Sequence, residues 1–330
     1  MSATPSETKG SAIVLICNEN YLLPTFSAAL SADHHTAADV PVYIFVVNSD
    51  PGWASQFDHA VAGTKIRIEA AHLSQLEEAT RFHRDRYLPA IALARLWFDG
   101  LLDQEIDRFF YIDGDTMVDG ELDSLLAVRP SPGRIMAAPD VMRMFMDEKS
   151  RGKKHELAYL NGLDCDADSY FNSGVIYTSR EAWNSIVPEA LEFLFEHPEG
   201  CRSSDQSALN HAAYGRVDML PLTYNYQSEH MMVLDPRRNG FAPAIWHFTG
   251  GPNPWDRPGW PWDEYFNRFH RMAELLLVDC DVKTPKPPEA QMRAGISHRR
   301  RTKNRLNWIY PWRKITRKAK ILRLLSAGSL

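Results

Sequence analysis

The feature that most restricts how this chain can fold is its alternation of short, β-branched apolar segments with stretches of helical pattern. Ser11–Cys17 (SAIVLIC), residues 41–47 (PVYIFVV) and residues 64–70 (TKIRIEA) each precede such a stretch. This repetition predicts βαβ units and a mostly parallel sheet flanked by helices, an α/β fold. Helices are expected at residues 22–32, 55–62 and 87–102, the last with an apolar side of Leu88, Ile91, Leu93, Leu96 and Trp97. Further strands are predicted at Arg108–Ile112, 134–138, 174–178 and 243–246, and helices at 122–126, Arg180–Glu196 and 205–214. With 330 residues the chain can bury a sizeable core without help from disulfides.

Charge is distributed unevenly. Residues 290–330 hold twelve Lys or Arg and no Asp or Glu, which leaves 25 basic against 42 acidic groups on the first 289 residues. A domain over residues 10–280 is therefore expected to be acidic, with residues 281–330 forming a linker (KTPKPP at 283–288) and a basic amphipathic tail. The four cysteines, Cys17, Cys165, Cys201 and Cys280, lack CxxC or Cys/His spacing and read as idle thiols of a reducing compartment. Residues 1–10 lack the pattern of an export signal, and no apolar run approaches the ~20 residues of a spanning helix, so a cytoplasmic location is expected.

Two motifs carry chemistry. The apolar segment Arg108–Ile112 runs directly into Asp113-Gly114-Asp115. Carboxyl ends of strands in an open α/β sheet face the ligand crevice, and two carboxylates across a tight glycine turn suit a hard divalent cation that keeps positions open for phosphates. The second motif is His247-Phe248-Thr249-Gly250-Gly251-Pro252-Asn253-Pro254-Trp255, placed after another apolar strand. Its imidazole can complete a two-carboxylate metal site, and its glycine-rich turn offers backbone N–H groups to a diphosphate. Asp113-Gly114-Asp115-Thr116 also fits a rival, a haloacid-dehalogenase-like phosphatase with Asp113 as nucleophile. Against it stand the late position of the motif, the lack of a clear downstream GDxxxD, and a histidine motif left without a role.

Seven short elements in order resemble the family 8 retaining glycosyltransferases, the group of the glycogenins and of bacterial lipopolysaccharide galactosyl- and glucosyltransferases. They are Asn18-Glu19-Asn20-Tyr21, Ala94-Arg95-Leu96, Tyr111-Ile112-Asp113-Gly114-Asp115, Ala137-Ala138-Pro139-Asp140, Phe171-Asn172-Ser173-Gly174, Asp205-Gln206 and His247-Phe248-Thr249-Gly250. The resemblance implies a GT-A fold and transfer of galactose or glucose from a UDP-sugar to a saccharide or glycolipid, with retention at the anomeric carbon. It assigns the uridine to Asn18, Asn20 and Tyr21, and the metal (Mn2+ or Mg2+) to Asp113, Asp115 and His247. Arg95 would lie near the donor phosphate and sugar. Asn172 and Asp205 resemble the partners of sugar hydroxyls, and Gln206 the side chain on the reacting face. Gly114, Gly250 and Asn253 complete the donor set, and Asp140 is a further acceptor-side candidate. Ser203-Ser204-Asp205-Gln206 also opens a helix pattern in which Asp205 fits the N-cap. Where the family usually ends HxGxxKPW, this chain has Asn253 in place of the lysine. A nucleotide-sugar-binding protein with little turnover thus stands as an alternative from another class.

In the tail, Trp308, Ile309, Tyr310 and Trp312 are interleaved with cations, and Trp312, Ile315, Ala319 and Leu322 recur at spacings of three and four. That pattern predicts an interfacial helix on an anionic leaflet, in preference to a solvated disordered tail or a nucleic-acid contact. The enzyme would then sit peripherally on the inner face of a membrane, close to glycolipid acceptors.

Overall fold

The computed structural model describes residues 10–37, 39–76, 90–146, 151–251, 253–258, 262–278 and 288–326. Its centre is a seven-stranded sheet in the order β3-β2-β1-β4-β7-β6-β8, formed by β1 (Ser11–Cys17), β2 (Val42–Val47), β3 (Ile66–Ala71), β4 (Arg108–Ile112), β6 (Ile135–Pro139), β7 (Phe171–Ser179) and β8 (Val217–Met219). Neighbours from β3 to β4 are parallel; β7 runs antiparallel to both β4 and β6. The period of two along a strand divides the core between the two faces. Ile13, Leu15 and Cys17 point into one cluster with Phe26 of the helix Leu22–His34 and Phe269 of the helix Asp263–Leu277, and Ala12, Val14 and Ile16 point into the other with Phe98, Trp183 and Leu209.

A second, three-stranded sheet orders β5 (Thr116–Val118), β10 (Ile245–His247) and β9 (Tyr226–Gln227) as β5-β10-β9. It pairs His247 with Thr116 across an antiparallel ladder. None of β5, β8 and β9 was expected, since strands of two or three residues leave no periodic trace.

Other boundaries moved for local reasons. In place of the helix expected at 55–62 stand two short helices, Pro51–Ser55 and Asp58–Val61, because Pro51 at the first helical position and the Asp50 side chain, which accepts from Gly52 N at 2.7 Å, start a turn earlier. Of the helix expected at 87–102, residues 87–89 lie outside the described residues and Ala90–Leu101 is wound as a 3-10 helix. β7 begins at Phe171, three residues early, where Asn210 donates to Phe171 O at 2.9 Å and accepts from its N–H at 2.8 Å. Asn172 and Ser173 are therefore strand residues.

Cys17, Cys165 and Cys201 are buried free thiols, while Cys280 and residues 283–287 lie outside the described residues. The basic segment forms two helices, Glu289–Asn304 and Pro311–Ser326, that pack on the domain. Leu306 and Ile321 join its core. Trp312, Ile315 and Leu322 face outward with 56%, 69% and 43% exposure, so the predicted apolar side is the one turned to solvent. Among the described residues no helix is long and apolar enough to cross a membrane.

His230, fully buried on the helix Ser228–Val233, meets no hydrogen-bond partner at either ring nitrogen, and burial pushes its pKa down to about 3. A depressed base supplies stability above its unfolded value near 6.5, and that stability drains as pH falls toward the folded value. By about pH 4 this group alone should cost roughly 3 kcal/mol. Urea unfolding at neutral pH and at about pH 4 should show that loss in the wild type and a clearly smaller one in His230→Leu; equal losses would contradict the assignment.

Candidate active site

The site lies where the two sheets meet. β4 delivers Asp113, whose N–H donates to Gly174 O of β7 at 2.8 Å, and Thr116 Oγ1 donates back to Asp113 O at 2.7 Å to close the turn that presents Asp115. Both glycines there are sterically required. A Cβ on Gly114 would fall 2.3 Å from Thr25 Oγ1, and a Cβ on Gly174 would fall 2.3 Å from His247 Cε1 and 2.7 Å from Asp113 Oδ2. Across β10, His247 Nε2 stands 3.2 Å from Asp115 Oδ1 and 3.8 Å from Asp113 Oδ2.

The orientation of that imidazole is set from behind. Asn225, wholly buried, donates through Nδ2 to Asn172 Oδ1 at 2.8 Å, which turns its own Oδ1 toward His247 Nδ1 at 2.9 Å. Nδ1 therefore carries the hydrogen, and the Nε2 lone pair faces the carboxylates. One ligand atom from each of Asp113, Asp115 and His247 lies within 4.8 Å of the other two. Two carboxylates, one correctly presented imidazole and a cradle that a single methyl at residue 174 would fill are a fitting donor set for a divalent cation.

Charge around the cluster favours the same ion. Arg95, 7% exposed, reaches Asp113 Oδ1 at 2.8 Å, Asp205 Oδ2 at 3.0 Å and Ser173 O at 2.7 Å, and its guanidinium lies 4.9 Å from the ring centre of Tyr111. Burial opposes its charge, but Asp113 and then Asp205 outweigh that, so its pKa is raised. Burial lifts Asp205 to about 6 despite Arg95. For Asp115 burial works toward the acid form, yet His247 prevails and its pKa falls; for His247 burial works against charge, and the Asp115 carboxylate raises it nonetheless. Three carboxylates face one guanidinium, so with a neutral imidazole the cluster keeps surplus negative charge.

The remaining expected residues divide into floor and rim. Gln206 forms the floor: Oε1 accepts from Asn172 Nδ2 at 3.0 Å and Ser173 N at 3.1 Å, and Nε2 donates to Asp140 Oδ2 and Tyr170 Oη, each at 3.2 Å. Burial raises the pKa of Asp140 within that network. Asp205 is not the N-cap: Ser204, at φ 52°, occupies that position and Asp205 is the first helical residue, leaving its carboxylate to Arg95. On the rim, Asn18 caps the turn Glu19–Tyr21 by accepting from Tyr21 N at 3.1 Å, and Tyr21 meets Trp255 edge-on at 5.9 Å. Asn20 is exposed nearby. Phe248 N donates to Asp115 O at 2.8 Å and so holds the loop of Gly250 and Asn253 against the carboxylate turn. Asn225 and Tyr170 were not singled out from sequence, and Tyr111 and Gly174 entered only as parts of motifs, with no role of their own. An isolated asparagine between two tyrosines carries no signal, and the roles of the other three exist only once the strands pair.

The sequence profile of Glycosyl transferase family 8 matches residues 12–259. The chain belongs to that family. This glycosyltransferase-family chain is 30% identical over 188 residues to general stress protein A of Bacillus subtilis, covering 51% of this chain and 60% of that one. Lipopolysaccharide 1,2-glucosyltransferase of Escherichia coli is 27% identical over 210 residues, 60% and 56% of the respective chains. The chain thus spans a little over half the length of these curated relatives. Among solved structures, galactosyltransferase LgtC in complex with donor and acceptor sugar analogs superposes with a TM-score of 0.65 at 20% identity, over 82% of this chain and 98% of that one, which places the fold in the GT-A class. The phosphatase alternative is not favoured: besides the family match, Asp113 Oδ1 is engaged by Arg95 and by Tyr111 Oη at 2.7 Å.

Gly174→Ala should lower stability by about 1–3 kcal/mol, because the new methyl has to displace His247 or Asp113. Thermal or urea unfolding measures it, and an unchanged midpoint would speak against so close an approach.

Proposed function

We propose that the protein is a retaining hexosyltransferase that moves galactose or glucose from a UDP-sugar to a saccharide or glycolipid acceptor, in the manner of bacterial surface polysaccharide or lipopolysaccharide synthesis. The observation that carries this reading is the convergence of Asp113, Asp115 and His247 from two sheets on one cation-sized space. The naming of a family relative as a lipopolysaccharide glucosyltransferase supports the substrate class.

In this reading Asn18, Asn20 and Tyr21 hold the uridine, and the loop at Gly250 and Asn253 receives the diphosphate. Asp113, Asp115 and His247 hold Mn2+ or Mg2+, the imidazole tilting the choice toward manganese. A bound divalent ion supplies Lewis-acid charge to the leaving diphosphate. Arg95, braced by Asp113 and Asp205, orients the donor, and Asn172 and Asp205 hold sugar hydroxyls. The bond from the anomeric carbon to the β-phosphate oxygen breaks while the acceptor hydroxyl oxygen bonds that carbon from the same face, and the hydroxyl proton passes to the departing phosphate oxygen. Gln206 suits this front-face route better than a covalent one, since an amide is a poor nucleophile and both its ends are tied down. Asp140 lies on the acceptor side.

UDP release from UDP-glucose or UDP-galactose with manganese tests the reading. Release should vanish with EDTA and in Asp115→Asn. Asn225→Ala, which frees the far side of His247, should weaken metal dependence roughly 10- to 100-fold in the manganese concentration required. Binding of donor without release points to a nucleotide-sugar-binding protein instead. Neither binding nor release sinks both.

The protein is further proposed to attach peripherally to the inner face of an anionic membrane. Trp308, Ile309, Trp312, Ile315 and Leu322 are exposed beside a run of Lys and Arg, which supports it. Trp312→Ser with Ile315→Ser should cut co-sedimentation with anionic liposomes several-fold and leave UDP release intact; unchanged partitioning would refute the attachment.

A further inference from the structure

The loop expected to receive the donor diphosphate has no cation of its own. Asn253 occupies the lysine position and is turned inward: with its amide oriented so that the nitrogen faces the loop carbonyls, that nitrogen donates to Phe248 O at 2.7 Å and Gly250 O at 3.2 Å. Its backbone N–H donates to Asp256 Oδ2 at 2.7 Å. These bonds stiffen the loop, and none of them offers charge to a ligand.

Cations approach instead from the helix Glu289–Asn304. Arg299, 6% exposed, donates to Gly250 O at 2.7 Å from behind the loop. Its charge is burdened by burial, which brings its pKa down to about 10, with Glu229 and Asp256 as counter-charges. It remains cationic at neutral pH, and its bond pins the helix to the loop. In front of the loop lies a cleft of about 790 Å³. Tyr21, Gly250, Asn253 and Trp255 form one wall; Gln291, Gly295, His298 and Arg301 form the other. Those four positions recur at spacings of four, three and three, which places them on one face of the helix. The two acids of the cleft are engaged elsewhere, Glu229 by Thr249 Oγ1 at 2.8 Å and Asp256 by the Asn253 N–H. The cleft opens beside the metal cluster, because its wall at Gly250, Asn253 and Trp255 continues from Phe248, whose N–H donates to Asp115 O at 2.8 Å.

We propose that the helix Glu289–Asn304 completes the donor site: Arg301, with His298 on the same face, supplies across the cleft the positive charge that Asn253 withholds, and Arg299 holds the loop in place to receive a nucleoside diphosphate between them. This rests on the UDP-sugar reading and adds a residue to it. Arg301 sits in a segment that charge patterning alone sets apart as a tail, so the same stretch of chain serves both the membrane surface and the donor.

Calorimetric binding of UDP and of uridine to the full chain, with manganese and again with EDTA, tests the assignment. A guanidinium on a diphosphate makes charge-assisted bonds, so Arg301→Ala should weaken UDP roughly ten- to hundredfold in both conditions and leave uridine unchanged. Arg301→Lys should keep most of the affinity, and adding Asn253→Lys to Arg301→Ala should restore it. An Arg301→Ala protein that binds UDP as the wild type does, or that loses UDP and uridine equally, overturns the role of the helix and leaves the donor reading standing. A wild type that binds neither ligand removes the donor reading and this inference with it.

Discussion

Arg95 is the residue around which the site is assembled. A guanidinium taken out of water is costly unless its charge and its donors are all met. Here Asp113 at the end of β4, Asp205 at the start of a helix and the Ser173 carbonyl on β7 meet them together. One side chain therefore fixes the mutual position of three elements from distant parts of the chain. The same arrangement leaves the carboxylates in excess over the cations, a field that suits the divalent ion proposed for it.

The small sheet β5-β10-β9 lends Met117, Val118, Tyr226, Ile245 and Trp246 to the core and also arranges the site. Its ladder sets His247 opposite Thr116 and so beside Asp115, and Asn225, just ahead of β9, ties that imidazole through Asn172 to the Gln206 floor. His247, Asn225, Asn172, Gln206 and Asp140 thus form one continuous hydrogen-bonded body. Such a body favours positioning over flexibility, which suits the displacement proposed for it.

The C-terminal helices change the meaning of the charge asymmetry. The basic segment looks like a separate electrostatic object, but Leu306 and Ile321 bury themselves in the domain core and Arg299 reaches the Gly250 loop. An acidic domain docking its own basic segment neutralises part of its field. The apolar residues left outside, Trp308 and Ile315 among them, are then available for a surface that the domain itself does not provide.

Local pattern sufficed for most of the long elements, the helices Arg151–Gly162 and Glu289–Asn304 excepted, and it singled out the three side chains that the fold brings together. Strands such as SAIVLIC and RFFYI are apolar on both faces because both are covered, and an Asp-Gly-Asp turn after one of them has few other uses. The helix Asp263–Leu277 was as readable, with Tyr265, Phe269, Ala273 and Leu276 at helical spacing, and went unread beside stronger motifs. What no local pattern could supply is convergence. Residues 113 and 247 meet because a two-residue strand and two three-residue strands pair, and pairing energy comes from the partner strand rather than from the segment itself. The pairing of Asn225 with His247, the need for Gly174 and the approach of Arg301 to the cleft are likewise properties of space between elements. The sequence by itself determined the α/β class and the family and singled out Asp113, Asp115 and His247, since those follow from residue type and short-range order. Only the tertiary structure decided which groups face each other, because that depends on contacts between residues from about twenty to more than a hundred positions apart.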